Sequence, residues 1–472
     1  MKRGNGAIMT IADHHRAAVI GPREIAYGNG TAVSAKPGLS RDLVRILGGT
    51  MDRFAQHSTV VIDGVAPAQV AGQSAALRQA GWGHHEIDAW TLFHRDDGRT
   101  VAVGFRDAMT SHHLGVLFTR DTDPGVLALT LDRFSQGIGC SWRGTFATTA
   151  LAGIRLSWEN PQYQPLWKAP KIPARSDVGP ISWARRLNSF EETWGFVHTY
   201  DANSAYLGSA LTAELAWSSL GHVGAQVFDH TLPGYWLVEL DTTMAEWAQD
   251  PERPPLFRKI PRDMQVWMTT PYAKLLQDLG GQVWVVDSWV GQPAQRAGGG
   301  RLHPAGTRVL RKWGESVRDA LRLQYAMMDR LPHVEAATKR IYKDAIGGMQ
   351  RDGMRIFRPD WAQTVIDLWR ATLYRKMLRV KEKQGCWPVR ISTDSLSYAD
   401  SSADPITIGA ELGLTHCEAD PCPTRCRPHS RHRARPVGLG AFKHTATHTV
   451  AEWSKAHGAK RMPQTGGKRR GI

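Results

Sequence analysis

Two short segments of the chain each carry an aspartate next to a bend. The segment YDANSAYL (200–207) contains Asp201, and ISTDSLSY (391–398) contains Asp394. Carboxylates that are distant in sequence but close in space bind hard divalent cations, and a pair of such ions can drive in-line phosphoryl transfer. Asp201 follows a β-rich run and precedes a helical one, so backbone amides could face a phosphate beside it. The alternatives are a helix N-cap for Asp201 and an ordinary turn residue for Asp394.

A basic helix end lies between the two aspartates, at KRIYKDAIGG (339–348). Lys339 and Lys343 are four residues apart and therefore share one helix face. That face suits an anion such as a triphosphate, although a solvated surface would have the same pattern. Gly347 and the glycine after it are expected to end the helix. Tyr206 lies on the first turn of the other predicted helix, where its ring could face a bound sugar or pack into the core.

A cluster of cysteine and histidine occurs at CEADPCPTRCRPHSRH (417–432). Thiolate and imidazole side chains bind zinc, but this spacing does not match a familiar finger. A low-complexity loop rich in arginine and proline is the alternative. The candidate zinc ligands are Cys417, Cys422, Cys426, His429 and His432.

The charge of the chain favours a polyanionic partner. The formal net charge is +15 and the isoelectric point is about 9.8. From Arg425 to Ile472 there are 12 Lys and Arg residues and one acidic residue, Glu452. Basic side chains of this kind release counterions from nucleic acid, although a tail that aids solubility would look the same. Five cysteines in 472 residues indicate a reducing cytoplasm.

Several function classes find no support in the sequence. No apolar run approaches the roughly 18 residues that a membrane span needs, so we expect no membrane partner. Motifs of the forms G-x-x-x-x-G-K-[ST], H-E-x-x-H and G-x-S-x-G are absent, which argues against a P-loop ATPase, a zinc metalloprotease and an α/β-hydrolase.

The length and pattern of the chain predict two or three domains. Short β-branched runs alternate with helical stretches after Ser58, which indicates an α/β domain. In the next unit, the run TWGFVHTY is a predicted strand that leads into Asp201, and the segment from Pro359 to Gly385 is a predicted long helix. The expected divisions are a loosely ordered N-terminus (1–57), the α/β domain (58–158), a linker rich in proline and polar residues (159–180), a second unit (181–415) and a basic C-terminal segment (416–472).

Together, the two aspartate segments and the basic helix resemble the polymerase motifs of family B DNA polymerases, closest to the protein-primed branch. The first family motif, Asp-x-x-Ser-Leu-Tyr-Pro, matches at Asp201, Ser204 and Tyr206. The second, Lys-x-x-x-Asn-Ser-x-Tyr-Gly, matches at Lys339 and Gly347 but lacks the Asn, Ser and Tyr. The third, Tyr-x-Asp-Thr-Asp-Ser, matches at Thr393, Asp394 and Ser395, with Ser392 in place of the first aspartate. The motifs occur in the order found in the family.

The resemblance implies a right-hand polymerase of α/β class, with an α+β palm and fingers. An RNase H-like, exonuclease-like α/β domain would precede it. The family's exonuclease begins with an Asp-x-Glu strand motif, and the candidate strand around Asp63 lacks the glutamate. We therefore expect a degenerate exonuclease domain and no proofreading.

The resemblance also implies a role for each matching residue. Asp201 and Asp394 would hold two Mg²⁺ or Mn²⁺ ions, with help from the carbonyl of Ala202. Tyr206 would stack beneath the deoxyribose and exclude a 2′-hydroxyl. The remaining nucleotide-binding residues would be Ser204, Lys339, Lys343 and Gly347, and the DNA-binding residues would be Thr393, Ser395 and Lys443.

The function expected from the resemblance is DNA-directed DNA polymerisation in the replication of a mobile or linear replicon. The expected partners are template-primer DNA, dNTPs and a terminal protein that primes synthesis, and the expected location is the nucleoid in the cytoplasm. A catalytically weak, polymerase-like protein that binds DNA ends or telomeres is the first alternative. A site-specific nuclease or recombination factor that uses the same carboxylates is the second.

Overall fold

The computed structural model shows a mixed α/β protein, as the sequence predicts. The structure describes residues 15–34, 44–45, 54–64, 73–87, 90–106, 122–158, 164–169, 176–178, 182–293, 304–326, 331–417 and 439–457. The chain divides into two compact units: Met1–Glu159 with Asp319–Gly348, and Asn160–Arg318 with Met349–Ile472. Among the helices described, none is long and apolar enough to cross a membrane.

The first unit contains a seven-stranded sheet in the order β3-β2-β1-β4-β7-β6-β5. Strands β1, β4 and β7 are parallel, and the other neighbours are antiparallel. The parallel strands are rich in buried valine and isoleucine, as strands covered on both faces are. The strands are β1 (His15–Ile20), β2 (Glu24–Tyr27), β3 (Ala32–Ser34), β4 (Phe54–Ile62), β5 (Trp82–Ile87), β6 (Trp90–Arg95) and β7 (Thr100–Phe105).

The first three strands lie ahead of Ser58, where the sequence pattern indicates the start of an α/β domain. Each is six residues or shorter, and β3 is exposed throughout. A run this short carries little periodic signal, because strand patterns need several alternations to stand out from turns.

The helices of the first unit have well-formed ends. Helix α2 begins at Pro124, and the carboxylate of its N-cap, Asp123, accepts hydrogen bonds from the amides of Gly125 and Val126. The helix ends at Gly139, whose φ of 68° is left-handed. Thr145 and Thr148 form a reciprocal capping box at the start of α3. The helices are α1 (Ser74–Gln79), α2 (Pro124–Ile138), α3 (Phe146–Leu156) and α8 (Pro332–Met349), together with the second part of α7 (Arg311–Ala326).

The second unit contains a six-stranded sheet in the order β18-β19-β9-β17-β16-β8 and a four-stranded sheet in the order β11-β14-β12-β13. In the larger sheet, β9 is a central strand with antiparallel neighbours on both sides. The strands are β8 (Ser182–Ala184), β9 (Phe196–Ala202), β10 (Leu215–Ala216), β11 (Leu220–His222), β12 (Gly234–Glu239), β13 (Gln265–Thr269), β14 (Trp284–Gly291), β15 (Gly306–Thr307), β16 (Arg390–Ser392), β17 (Ser395–Asp400), β18 (Leu414–Cys417) and β19 (Phe442–Thr449).

Helix α9 fills the core of the second unit. It begins at Pro359 and ends before Gly385, which has φ 76°, so the predicted long helix over this segment is confirmed. Its start is fixed by the buried Arg358, which contacts Asp360 at 2.7 Å. The other helices of this unit are α4 (Ala205–Thr212), α5 (Thr242–Gln249), α6 (Thr270–Asp278), α10 (Ile406–Leu412) and α11 (Val450–His457), together with the first part of α7.

Candidate active site

Asp201 lies near the end of the central strand β9, between two partner strands. Its register partners are Ser395 on β17 and Lys443 on β19. Side chains alternate along a strand, so Asp201 shares a face with Thr199, while Tyr200 between them is fully buried in the core on the other face. The sheet therefore holds the Asp201 carboxylate on its partly open face. The predicted strand that leads into Asp201 is confirmed by β9.

Asp394 occupies the turn that joins β16 to β17. Ser392 pairs with Ser395, which leaves Thr393 and Asp394 as a two-residue turn. Thr393 has φ 58°, the left-handed backbone that such hairpin turns use. The amide of Ala202 donates to the carbonyl oxygen of Asp394 over 2.9 Å. The structure thus brings the two predicted aspartates to adjoining positions at one end of β9.

Lys443 contacts the first aspartate directly. Its Nζ lies 3.6 Å from Asp201 Oδ2, with the side chains 17% and 33% exposed. The ammonium group compensates part of the carboxylate charge and restricts its orientation. A metal ion at Asp201 would therefore compete with Lys443 for the same oxygen.

The chain between β9 and α4 has an unusual backbone. The N-cap of α4 is Ser204, with φ 50°, so the alternative role of Asp201 as the helix N-cap is wrong. The turn is held by two backbone bonds, from the Asn203 amide to Ala441 O (2.9 Å) and from the Gly440 amide to Asn203 O (2.8 Å). Ser204 Oγ is buried and has no hydrogen-bond partner in the part of the chain described. Left-handed non-glycine residues are costly and concentrate at functional sites.

Tyr206 lines a narrow cleft of about 30 Å³ beside the hairpin turn. Its neighbours around the cleft include Arg370 and Thr393. Burial raises the pKa of Tyr206, the Arg370 guanidinium opposes that rise, and the Asp394 carboxylate adds to it. The phenol therefore stays protonated and can donate a hydrogen bond into the cleft.

Arg370 is a candidate site residue that sequence reasoning missed. It lies on α9 with its side chain 11% exposed, and its Nη1 is 3.4 Å from Asp367 Oδ1. Burial raises the pKa of Asp367, and the Arg370 charge opposes that rise most strongly. Asp367 also accepts from Thr269 Oγ1 (2.9 Å) and Gln363 Nε2 (2.7 Å). In the sequence, an arginine in the middle of an amphipathic helix looks the same whether its side chain lines a site or faces solvent.

The predicted triphosphate-binding residues lie on α8, in the first unit. Lys339 Nζ contacts Glu335 Oε1 at 2.6 Å, and Lys343 is exposed. The helix continues through Gly347 to Met349, so the expectation that the glycines end it is wrong. Close packing accounts for the second glycine, because a Cβ on Gly348 would lie 3.2 Å from the Cβ of Ala147.

The predicted zinc ligands are mostly beyond what the structure describes. Cys417 is the last residue of β18, and Cys422, Cys426, His429 and His432 lie outside the described residues. Among the described residues, no group of three or more His, Cys, Asp or Glu side chains is placed to hold a metal ion.

Comparison with known proteins finds similar solved structures but no matching family. No protein-family model matches the chain, and no curated protein matches it. Phi29 DNA polymerase complexed with primer-template DNA and incoming nucleotide matches with a TM-score of 0.46 and 10% identity, over 92% of this chain and 84% of that chain. The same polymerase with primer-template DNA alone matches with a TM-score of 0.44 and 11% identity, over 88% of this chain and 79% of that chain. At this level of similarity the matches carry no argument about the fold or the function of this chain.

The donor set at the end of β9 fits a hard divalent cation. Asp201 lies near the end of β9 and Asp394 lies in the adjoining turn, and the hydroxyls of Ser392 and Ser395 belong to the same hairpin as Asp394. Mg²⁺ typically uses one or two carboxylates from the protein and takes its other ligands from water and substrate phosphates. The site is thus sufficient for ions that arrive with a nucleotide, and it is poorer in carboxylates than a dedicated cation cage.

Proposed function

We propose that the chain is a template-directed DNA polymerase that transfers a nucleotide from a dNTP to a primer 3′-hydroxyl. The observation that carries this proposal is the pairing of β9 with β17, because it brings two motif aspartates, 193 positions apart in the chain, to one end of the sheet. Two-ion nucleotidyl transfer needs this arrangement of carboxylates.

Asp201 and Asp394 would hold the ions, with the Ala202 carbonyl as a further ligand. Two Mg²⁺ or Mn²⁺ ions bound there would activate the primer hydroxyl and stabilise the leaving pyrophosphate. Lys443, released from Asp201 when cations bind, would contact a DNA phosphate. Tyr206 would support the sugar of the incoming nucleotide, and Arg370 would supply positive charge on the same cleft.

The other roles implied by the resemblance are part of the proposal. Lys339, Lys343 and Gly347 would contact the triphosphate from a fingers helix, and Ser204 would assist at the nucleotide. Thr393 and Ser395 would contact DNA beside Asp394. A terminal protein would supply the priming hydroxyl.

The first unit would be an RNase H-like domain without exonuclease activity. Its strand order β3-β2-β1-β4-β7, with β1, β4 and β7 parallel, supports the RNase H-like proposal. Asp63, which follows β4, is paired with Arg106 at 2.8 Å. The Arg106 guanidinium neutralises the Asp63 carboxylate, which a catalytic cation would need as a ligand. This pairing supports the absence of proofreading.

A polymerase-like DNA-end-binding protein with little turnover is the second candidate. Two observations favour it: Ser392 stands where the family motif has an aspartate, and Lys443 pairs with one of the two remaining carboxylates. Both features weaken cation binding, while the excess of Lys and Arg that favours DNA binding is unaffected.

Primer extension separates the two candidates. Purified full-length protein is incubated with a primed template, dNTPs and Mg²⁺ or Mn²⁺, and the products are resolved at single-nucleotide resolution. A polymerase extends the primer in a template-directed order. Binding of the same primed template in the absence of any extension, at protein concentrations that saturate the DNA, would instead identify the end-binding protein.

A further inference from the structure

The face of the six-stranded sheet that carries Asp201 continues into a polar groove bounded by helix α11. The groove has a volume of about 360 Å³, within the range of about 300–1,000 Å³ that small-ligand sites occupy. It is lined by Thr199, Arg390, Ser392, Ser395, Ser397, Ala446, His448, Trp453 and His457. None of these lining residues is acidic, so the groove is suited to an anion.

Arg390 provides the fixed positive charge of the groove. Its Nη1 lies 2.8 Å from Nε2 of His457. A guanidinium can only donate, so His457 Nε2 must accept and the ring proton must be on Nδ1, which lies 3.2 Å from the carbonyl oxygen of Trp453. His457 therefore accepts from Arg390 in this arrangement, and Arg390 forms no ion pair with a carboxylate in the part of the chain described. Arg390 Nε is buried and lacks an acceptor among the described residues.

A row of hydroxyl groups crosses the floor of the groove. Ser392 pairs with Ser395, and Ser397 pairs with both Arg390 and Thr199. Directly paired residues lie on the same face, so these side chains face the groove together. Thr199 Oγ1 and Ser397 Oγ are 3.0 Å apart. Hydroxyls beside an arginine are typical contacts for phosphate oxygens in protein–DNA interfaces.

We propose that this groove binds the sugar-phosphate backbone of a single DNA strand, with Arg390 on a phosphate and the serine and threonine hydroxyls on neighbouring oxygens. The choice of DNA as the anion rests on the proposed function, but strand binding here needs no metal ion. His448 also lines the groove and adds an imidazole that can donate a hydrogen bond. Neither of the two aspartates is a proposed contact of the strand.

The test is strand binding by the full-length protein in EDTA. A fluorescent thymidine oligonucleotide is titrated by anisotropy against wild type, Arg390→Gln and His448→Glu, over a series of NaCl concentrations. Loss of a charge-assisted phosphate contact is expected to weaken binding about tenfold. It is also expected to reduce the slope of log affinity against log salt by about 0.7, the value for one phosphate contact on a single strand.

The matched control is Arg308→Gln, which removes the same charge from an exposed pair with Glu214 in the same unit. Melting temperatures verify that all variants fold. Affinity within twofold of wild type for both groove variants, or an equal loss in Arg308→Gln, would overturn the proposal. Displacement of the strand by inorganic phosphate at constant ionic strength would overturn the assignment to DNA. Strand binding in EDTA is measured without dNTPs or a divalent cation, so failure of primer extension leaves this test unaffected.

Discussion

Replacing Asp201 by asparagine should separate catalysis from stability. The Asp201–Lys443 pair is 3.6 Å long and partly exposed, with 33% and 17% of the side chains accessible. Such a pair contributes about 0.2–1 kcal/mol. Asparagine fills the same space, so the melting temperature should fall by no more than about 3 °C. Loss of a metal ligand removes several kcal/mol of transition-state stabilisation, so the extension rate should fall by at least about a hundredfold.

The matched control is Asp278→Asn. Asp278 pairs with Arg375 at 2.7 Å, with 40% and 35% exposure, and it lies on α6 in the same unit. Extension is measured under single-turnover conditions with saturating Mg²⁺, and unfolding is followed by circular dichroism. A rate for Asp201→Asn above one tenth of wild type would refute the role of Asp201 as a metal ligand. An equal rate loss in both variants would show that the effect is structural.

Two further predictions follow from neighbouring residues. Ser392→Asp should add a third carboxylate to the proposed cation site and tighten Mn²⁺ binding about tenfold, as measured by electron paramagnetic resonance; unchanged affinity would contradict the site. Burial, and then the nearby His198, lower the pKa of His444 to about 4 from 6.5. His444 is neutral in the folded state, so its contribution to stability is full above pH 6.5 and is lost as the pH falls to about 4. The loss should reach about 3 kcal/mol and be smaller in His444→Asn, as measured by urea unfolding; equal pH profiles would contradict the shift.

The parts of the second unit with regular patterns were predictable from the sequence. The apolar alternation in TWGFVHTY predicted a strand into Asp201, and β9 confirms it. The sequence predicted a bend at Asp394, and the turn between β16 and β17 confirms it. Apolar alternation and turn residues are local signals, which explains why they located these elements.

Features that depend on distant residues were not predictable. The contact of Lys443 with Asp201 joins positions that are far apart in the chain, and only the pairing of β19 with β9 creates it. The interpretation of the glycines in α8 failed because Gly348 serves packing against α3 rather than termination. Arg370 becomes a site candidate only once the cleft beside Tyr206 exists.

The position of β9 between β17 and β19 has a consequence for how the protein is made. Both neighbours are synthesised long after β9, since they lie at Ser395–Asp400 and Phe442–Thr449. Pairings of such large sequence separation form slowly, because a long loop must close before they stabilise the chain. On the ribosome, the unpaired β9 would expose both of its edges until the C-terminal strands emerge. A chain that stops after Asp400 would keep both aspartates yet leave one edge of the central strand open to aggregation.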